Sequence, residues 1–484
     1  MLQKKLITGL FWVLLLNLLI KPFWILGIEV GVQNAVGAAE YGLYFAVFNL
    51  AYIFNILLDI GVTNFNTRNI AQHPQLIGKH LPAILSLKLL LGVLYVVVAF
   101  TVGLLMGYSS KEFHLLALLT FNQFLSSLIL YLRSNFEGLL LFKWDSVISI
   151  LDRVVMILIC GFLLWGRGMG NDGSFTLFHF VYAQTAAYLL TAALALGVLL
   201  RRTGVHGLRF SRPFSLAILK QSLPFALLVL LMASYNRLDP VLLQQLSPAG
   251  TGDYQAGIYA GAFRLLDALT MIAYLVSVPL LPVFSRQTKE GGEQLVDTLR
   301  MVTSLMAVFA IPAALFLSRL DGELMELLYI EHIDESAAVF RILIFCIIPI
   351  SVTYVYGTLL TAGGRLRQLN ILAACALVLN VVVNIVCIPR FGAVGSAWAG
   401  LTAQSFMALA QVVVAMKIFN IRPRLGYILK LALFALCIIT GCWLMPDMAW
   451  WAQLLVAAAG SVGLALLLRL LDLKELILII KENK

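Results

Sequence analysis

Arg201-Arg-Thr-Gly-Val-His-Gly-Leu-Arg-Phe-Ser-Arg-Pro213 is a basic, glycine-broken link in a chain that is otherwise apolar for most of its 484 residues. Outward from it on either side run apolar stretches of about 20 residues, each long enough to cross a ~30 Å hydrocarbon core. Hydrophobic residues make up 61% of the chain and charged residues 12%, and mean hydropathy is +0.95. That composition excludes a soluble domain. About fourteen spans are predicted: 6–31, 40–63, 82–107, 114–141, 146–166, 175–200, 222–246, 256–284, 298–318, 336–361, 369–388, 393–417, 427–445 and 450–471.

Positive charge alternates along the loops. Of the 34 lysines and arginines, about 23 fall in the loop set that contains the N-terminus. The other set holds only Lys111, Arg167, Arg319 and Arg390. The positive-inside rule therefore predicts cytoplasmic termini and an even number of helices. It also accounts for the net charge of +10 through insertion and anionic lipid rather than nucleic acid. The apolar run after Lys4-Lys5 continues from Leu6 to about Gly31, longer than a signal-peptide core, so a retained first helix is expected. The six cysteines lie inside spans without a C-x-x-C pair, which argues against a disulfide framework or a zinc site.

The Arg201–Gln221 link follows span 6, and a weak repeat supports a boundary there. Glu40-Tyr-Gly-Leu-Tyr-Phe-Ala-Val-Phe48 opens span 2, and Gln255-Ala-Gly-Ile-Tyr-Ala-Gly-Ala-Phe263 opens span 8. Gly42 aligns with Gly257, Tyr44 with Tyr259 and Phe48 with Phe263. An offset of six spans gives both halves the same orientation, the arrangement of parallel repeats. The expected fold is an all-α integral membrane protein of two pseudo-symmetric six-helix lobes plus a C-terminal helix pair. The lobes are assigned to residues 1–210 and 211–420, and residues 421–484 to the appended pair and a cytoplasmic tail.

Two motif sets carry a family resemblance. The first is Leu360-Thr-Ala-Gly-Gly-Arg-Leu-Arg367, then Asn380 and Asn384 one turn apart, then Ile388-Pro-Arg-Phe-Gly-Ala-Val-Gly-Ser-Ala397. The second is Glu40–Tyr44 through Leu58-Asp-Ile-Gly61 to Arg68-Asn-Ile-Ala71. With span count and polarity, they resemble Wzx-type polysaccharide flippases of the multidrug/oligosaccharidyl-lipid/polysaccharide exporter superfamily. The resemblance implies alternating access and transfer of polyprenyl-diphosphate-linked oligosaccharide from the inner to the outer leaflet of a bacterial inner membrane. It implies a monomer working beside a polysaccharide polymerase and chain-length machinery in O-antigen or capsule assembly. A drug or metabolite exporter and a lipid II flippase are alternatives within the superfamily. A membrane polymerase or ligase is the alternative from another class, but no enzymatic site is visible.

Ionisable groups at membrane depth are the candidate functional residues. Lys21, Arg237 and Arg264 fall in the outer halves of spans 1, 7 and 8, and arginine's planar fork suits a diphosphate. They are the expected substrate-binding residues. Asp239, Asp267 and Asp59 are candidates for coupling to an H+ or Na+ gradient, since no G-x-x-x-x-G-K-[ST] motif occurs. No other cofactor is expected. Arg133 and Glu137 on span 4, with Asp152 and Arg153 on span 5, are expected to form a neutral structural network. Asp59 is otherwise expected to contact cytoplasmic bases at a helix end, with Lys88 snorkelling inward. Cysteines introduced at Asp253 and Ser336 should react with an impermeant maleimide added to intact cells, and one at Gly207 should not. Reaction at position 207 from outside would invert the map.

Overall fold

The computed structural model describes residues 20, 22–166, 174–203, 207, 212–290, 293–421, 424–446 and 448–471. They form helices joined by short connections, because a backbone amide in hydrocarbon can find its partner only within its own helix. A π-helical turn, Trp24–Glu29, leads into α1 (Val30–Val36). Next come α2 (Ala38–Ile53), α3 (Val62–Gln72), α4 (Ile77–Leu105), α5 (Ser110–Gly138), α6 (Phe142–Gly161) and α7 (Leu177–Thr203). The second series is α8 (Arg212–Arg237), α9 (Asp239–Leu246), α10 (Gly252–Ser277), α11 (Leu280–Glu290) and α12 (Glu293–Arg319). After them lie α13 (Asp321–Leu328), α14 (Ile333–Leu343), α15 (Ile347–Ala362), α16 (Leu366–Ile418), α17 (Leu425–Leu444) and α18 (Trp450–Leu467).

Among the described residues, 11 helical segments are long and apolar enough to cross a membrane. The pair α8–α9, bent by 51° at Leu238, adds a twelfth. The 53-residue α16 is two spans joined at Gly392, whose φ of +53° breaks the helical path beside Pro389. The first predicted span lies mostly outside the described residues. The expected fold class of about fourteen transmembrane helices stands.

Contacts divide the chain into two compact units, Met1–Ala260 and Gly261–Lys484. The first is longer than the first repeat because α8, α9 and the start of α10 pack on α2 or α3. Two apolar clusters among the described residues fill parts of its interior. One gathers Trp24, Ile28, Tyr44, Leu119, Met156 and Phe180 near the end that the charge pattern assigns to the outside. The other gathers Leu87, Tyr131, Phe136, Ile148 and Leu199 near the inner end.

The repeat extends to the connections. Span 2 ends in the left-handed pair Ile60 (φ +40°) and Gly61 (φ +77°), then the 11-residue α3. Span 8 is followed by another 11-residue helix, α11. α3 packs on α5, the fourth span of its repeat, and α11 packs on α15, the fourth span of the other.

Within the second unit the appended pair docks on α12. Phe434 and Ile438 of α17 and Ala457 and Ala465 of α18 join Val308 and Phe316 in one apolar cluster. Polar contacts pin α17 at both ends. The Tyr427 hydroxyl hydrogen-bonds Ser304 Oγ at 3.1 Å and donates to the Arg300 carbonyl at 3.2 Å. At the other end Arg319 donates to the carbonyls of Cys442 and Met445, which no helical amide reaches. Arg319→Met should therefore loosen α17 at a cost of about 1–3 kcal/mol. The expected result is a lower unfolding temperature in detergent. Arg319→Lys, which lacks the fork, should fall between.

Candidate functional site

Three arginines at membrane depth each lie over an aromatic ring. At the end of α8 the Arg237 guanidinium sits 5.4 Å from the centre of the Tyr52 ring, and Arg237 itself is half-buried. On α10, Arg264 is buried, with its guanidinium 5.9 Å from the Tyr329 ring. Its Nη1 also donates to the Tyr329 hydroxyl at 2.7 Å, which in turn donates to the Gly261 carbonyl at 3.2 Å. On α6 the Arg153 guanidinium lies 5.6 Å from the Trp24 ring and donates to the Tyr188 hydroxyl at 3.3 Å. A ring face attracts and orients a guanidinium. Arg237 belongs to the first unit and Arg264 to the second; Lys21 lies outside the described residues.

The carboxylates differ in their partners. Asp239, buried at the first turn of α9, accepts a 2.9 Å hydrogen bond from the Tyr259 hydroxyl. Asp267 is half-buried one turn beyond Arg264 on α10. Asp59 forms a 2.7 Å ion pair with Lys88, whose side chain is 2% exposed and also donates to Ser127 Oγ at 2.8 Å. Asp59 further accepts from the hydroxyl and backbone amide of Thr63 in the first turn of α3. The expected contact between Asp59 and cytoplasmic bases is thus an ion pair inside the first unit. Lys88 stays buried instead of snorkelling, because Asp59 and Ser127 supply what water would have supplied.

The α5–α6 hairpin brings together a different pair from the four predicted charges. Arg133 Nε donates to Asp145 Oδ1 at 2.7 Å and Nη2 to Oδ2 at 3.3 Å, a bidentate bridge. Glu137 accepts from Thr67 Oγ1 at 3.4 Å, while Arg153 turns to Tyr188 and Trp24. The tight turn at Leu140 (φ +58°) sets the register. Asp145 comes level with Arg133, whereas Asp152 and Arg153 lie about 10 Å further along α6.

Two further acids take part in these contacts without a linear signature. Asp145 sits beside the inner loop, in the first turn of α6. Glu29 accepts a 2.9 Å hydrogen bond from Trp24 Nε1 on the π-helical turn. Its spacing of five residues from Trp24 matches no α-helical pair, so only a π-turn reveals it. The aromatics Tyr41, Tyr44, Tyr235 and Tyr259 are buried core residues, and Phe23 is exposed. Asn380 and Asn384 are buried and bonded to each other, Nδ2 of Asn384 reaching Oδ1 of Asn380 at 3.2 Å.

Residues 6–288 match the family described as "Polysaccharide biosynthesis protein". An uncharacterized membrane protein of Methanocaldococcus jannaschii is 23% identical over 394 residues, covering 79% of this chain and 91% of that protein. Among solved structures, the fold is similar to that of "Lipid II flippase MurJ, inward closed conformation". The TM-score is 0.71 at 13% identity, over 94% of this chain and 99% of the other. An inward-facing multidrug resistance MATE family transporter of the MOP superfamily gives a TM-score of 0.63 at 15% identity, over 82% and 94%. At these identities the likeness is one of fold.

Losing one member of the Arg133–Asp145 bridge leaves a buried charge uncompensated, at about 3–5 kcal/mol. Arg133→Met alone should sharply lower the amount of folded protein on fluorescence-detected gel filtration. Arg133→Met with Asp145→Leu should recover most of it. Equal losses in the single and double variants would contradict the pairing.

Proposed function

The chain belongs to the polysaccharide biosynthesis protein family, and we propose that it is a Wzx-type flippase for polyprenyl-diphosphate-linked oligosaccharide. It moves this substrate from the inner to the outer leaflet of a bacterial inner membrane, with both termini cytoplasmic, and serves O-antigen or capsule assembly. The observation that carries the reading is the half-buried Arg237 guanidinium over Tyr52, next to the helix break at Leu238. The stack keeps the fork oriented and charged in a medium where an anionic diphosphate needs both. Arg264 and Lys21 are the further residues assigned to substrate binding. The glycan itself is carried past polar groups and does not react with the protein.

Energy comes from an H+ or Na+ gradient. The coupling carboxylates are Asp239 and Asp267, close in sequence to the two arginines. Asp59, neutralised by Lys88 and capping α3, has a structural role in this scheme. A cation exporter would favour a site of net negative charge, and arginines held on aromatic faces favour the anionic substrate instead.

Deleting the gene should leave a lipid-linked oligosaccharide in the inner leaflet and remove surface polysaccharide. Arg237→Glu should abolish export at unchanged membrane abundance. Arg237→Lys keeps the charge and loses one of two charge-assisted hydrogen bonds, about 1.5 kcal/mol, which corresponds to roughly a tenfold loss of export. Wild-type export by an Arg237→Ala, Arg264→Ala double variant would refute the assignment. Arginine-independent efflux of a cationic dye would point to a drug exporter.

A further inference from the structure

Gly42 and Gly257 hold the same place in the repeated pattern Gly-x-Tyr-x-x-x-Phe, and the structure brings these two glycines against each other. A Cβ on Gly42 would lie 1.8 Å from the Asp253 carbonyl oxygen and 2.4 Å from the Gly257 nitrogen. One on Gly257 would lie 1.9 Å from the Ala38 carbonyl oxygen and 3.1 Å from the Ala38 Cα. Ala38 precedes Gly42 by four residues, and Asp253 precedes Gly257 by four. The contact therefore maps onto itself when the repeats are exchanged, with α2 and α10 meeting backbone to backbone at a local two-fold axis. No side chain fits at either point, alanine included.

The surroundings of this crossing are polar. Gln33 Nε2 donates to the Gly257 carbonyl at 3.1 Å. Gln244 Nε2 donates to Asp253 Oδ1 at 2.8 Å and to Glu112 Oε1 at 3.1 Å, and Lys111 pairs with Glu40 on the exposed side. Two of these groups are not satisfied in the closed arrangement. Oε1 of Gln33, a residue 6% exposed, and Oε1 of Gln244 are buried without a hydrogen-bond partner. Here every rim group could exchange its partner for water, and each orphaned oxygen disfavours the closed form.

We infer that the Gly42–Gly257 crossing is a reversible outer gate, closed in this structure and open at another stage of the cycle. The inference rests on the transporter reading above but not on the identity of the sugar. Bare backbone gives a water-tight fit without interdigitated side chains, so the helices part without unthreading one another. Gln33 and Gln244 then gain water on the oxygens that are now unsatisfied.

The test uses a full-length, cysteine-free protein carrying Gln33→Cys, labelled in intact cells with a membrane-impermeant maleimide. In cells actively exporting polysaccharide, the residue should react slowly as the gate opens. Gly42→Leu and Gly257→Leu should raise the labelling rate on the order of tenfold or more and abolish export, because the closed form is sterically excluded. Gly42→Ala should act in the same direction, and it decides the matter if the leucine variants do not accumulate. No labelling in exporting cells, or wild-type export by a folded Gly42→Leu or Gly42→Ala variant, would overturn the gate. Labelling as expected in a strain whose deletion accumulates no lipid-linked sugar would leave the gate standing and remove the glycan reading.

Discussion

A peptide group in hydrocarbon has no water to bond, and every other feature of this protein follows from that constraint. It forces the chain into helices and makes each interruption costly. The interruptions that remain are grouped. Gly37 turns the chain between α1 and α2, Ile60-Gly61 closes span 2, Leu238 separates α8 from α9, and Gly392 splits α16. Each lies at a span end or bend where side chains or neighbouring helices take over the freed groups. Thr63 and Asp59 do so after Gly61, and Gln33 bonds a carbonyl at the glycine crossing.

The same medium governs charge. An isolated ion at membrane depth costs several kcal/mol, so each must be neutralised, hydrogen-bonded or laid on a polarisable surface. All three solutions occur. Lys88 with Asp59 and Arg133 with Asp145 are ion pairs that join helices. Arg319 satisfies orphan carbonyls at the end of α17. Arg153, Arg237 and Arg264 lie over aromatic rings, whose electron-rich faces attract a guanidinium.

The inner charges show where linear reading fails. Helical spacing correctly put Arg133 and Glu137 one turn apart, but which residue of the next helix stands opposite depends on how tightly Leu139–Leu141 turns. One left-handed residue, Leu140, moves the partner from Asp152 to Asp145. Lys88 and Asp59 are 29 residues apart on different helices, and no periodicity links them. Glu29 was hidden for another reason, since a π-turn changes the spacing itself.

The sequence by itself determined that the chain crosses a membrane about fourteen times and repeats after six spans. Length, hydropathy and charge act locally, one span at a time, and so survive in a linear string. It also marked Gly42 and Gly257 as equivalent. That the two equivalents touch was decided only by the tertiary structure. Helix packing is a property of surfaces brought together from distant parts of the chain, and the close backbone approach that leaves no room for a Cβ on either glycine exists only once both helices are in place. For the same reason the arginines could be named from sequence, while the rings that hold them could not.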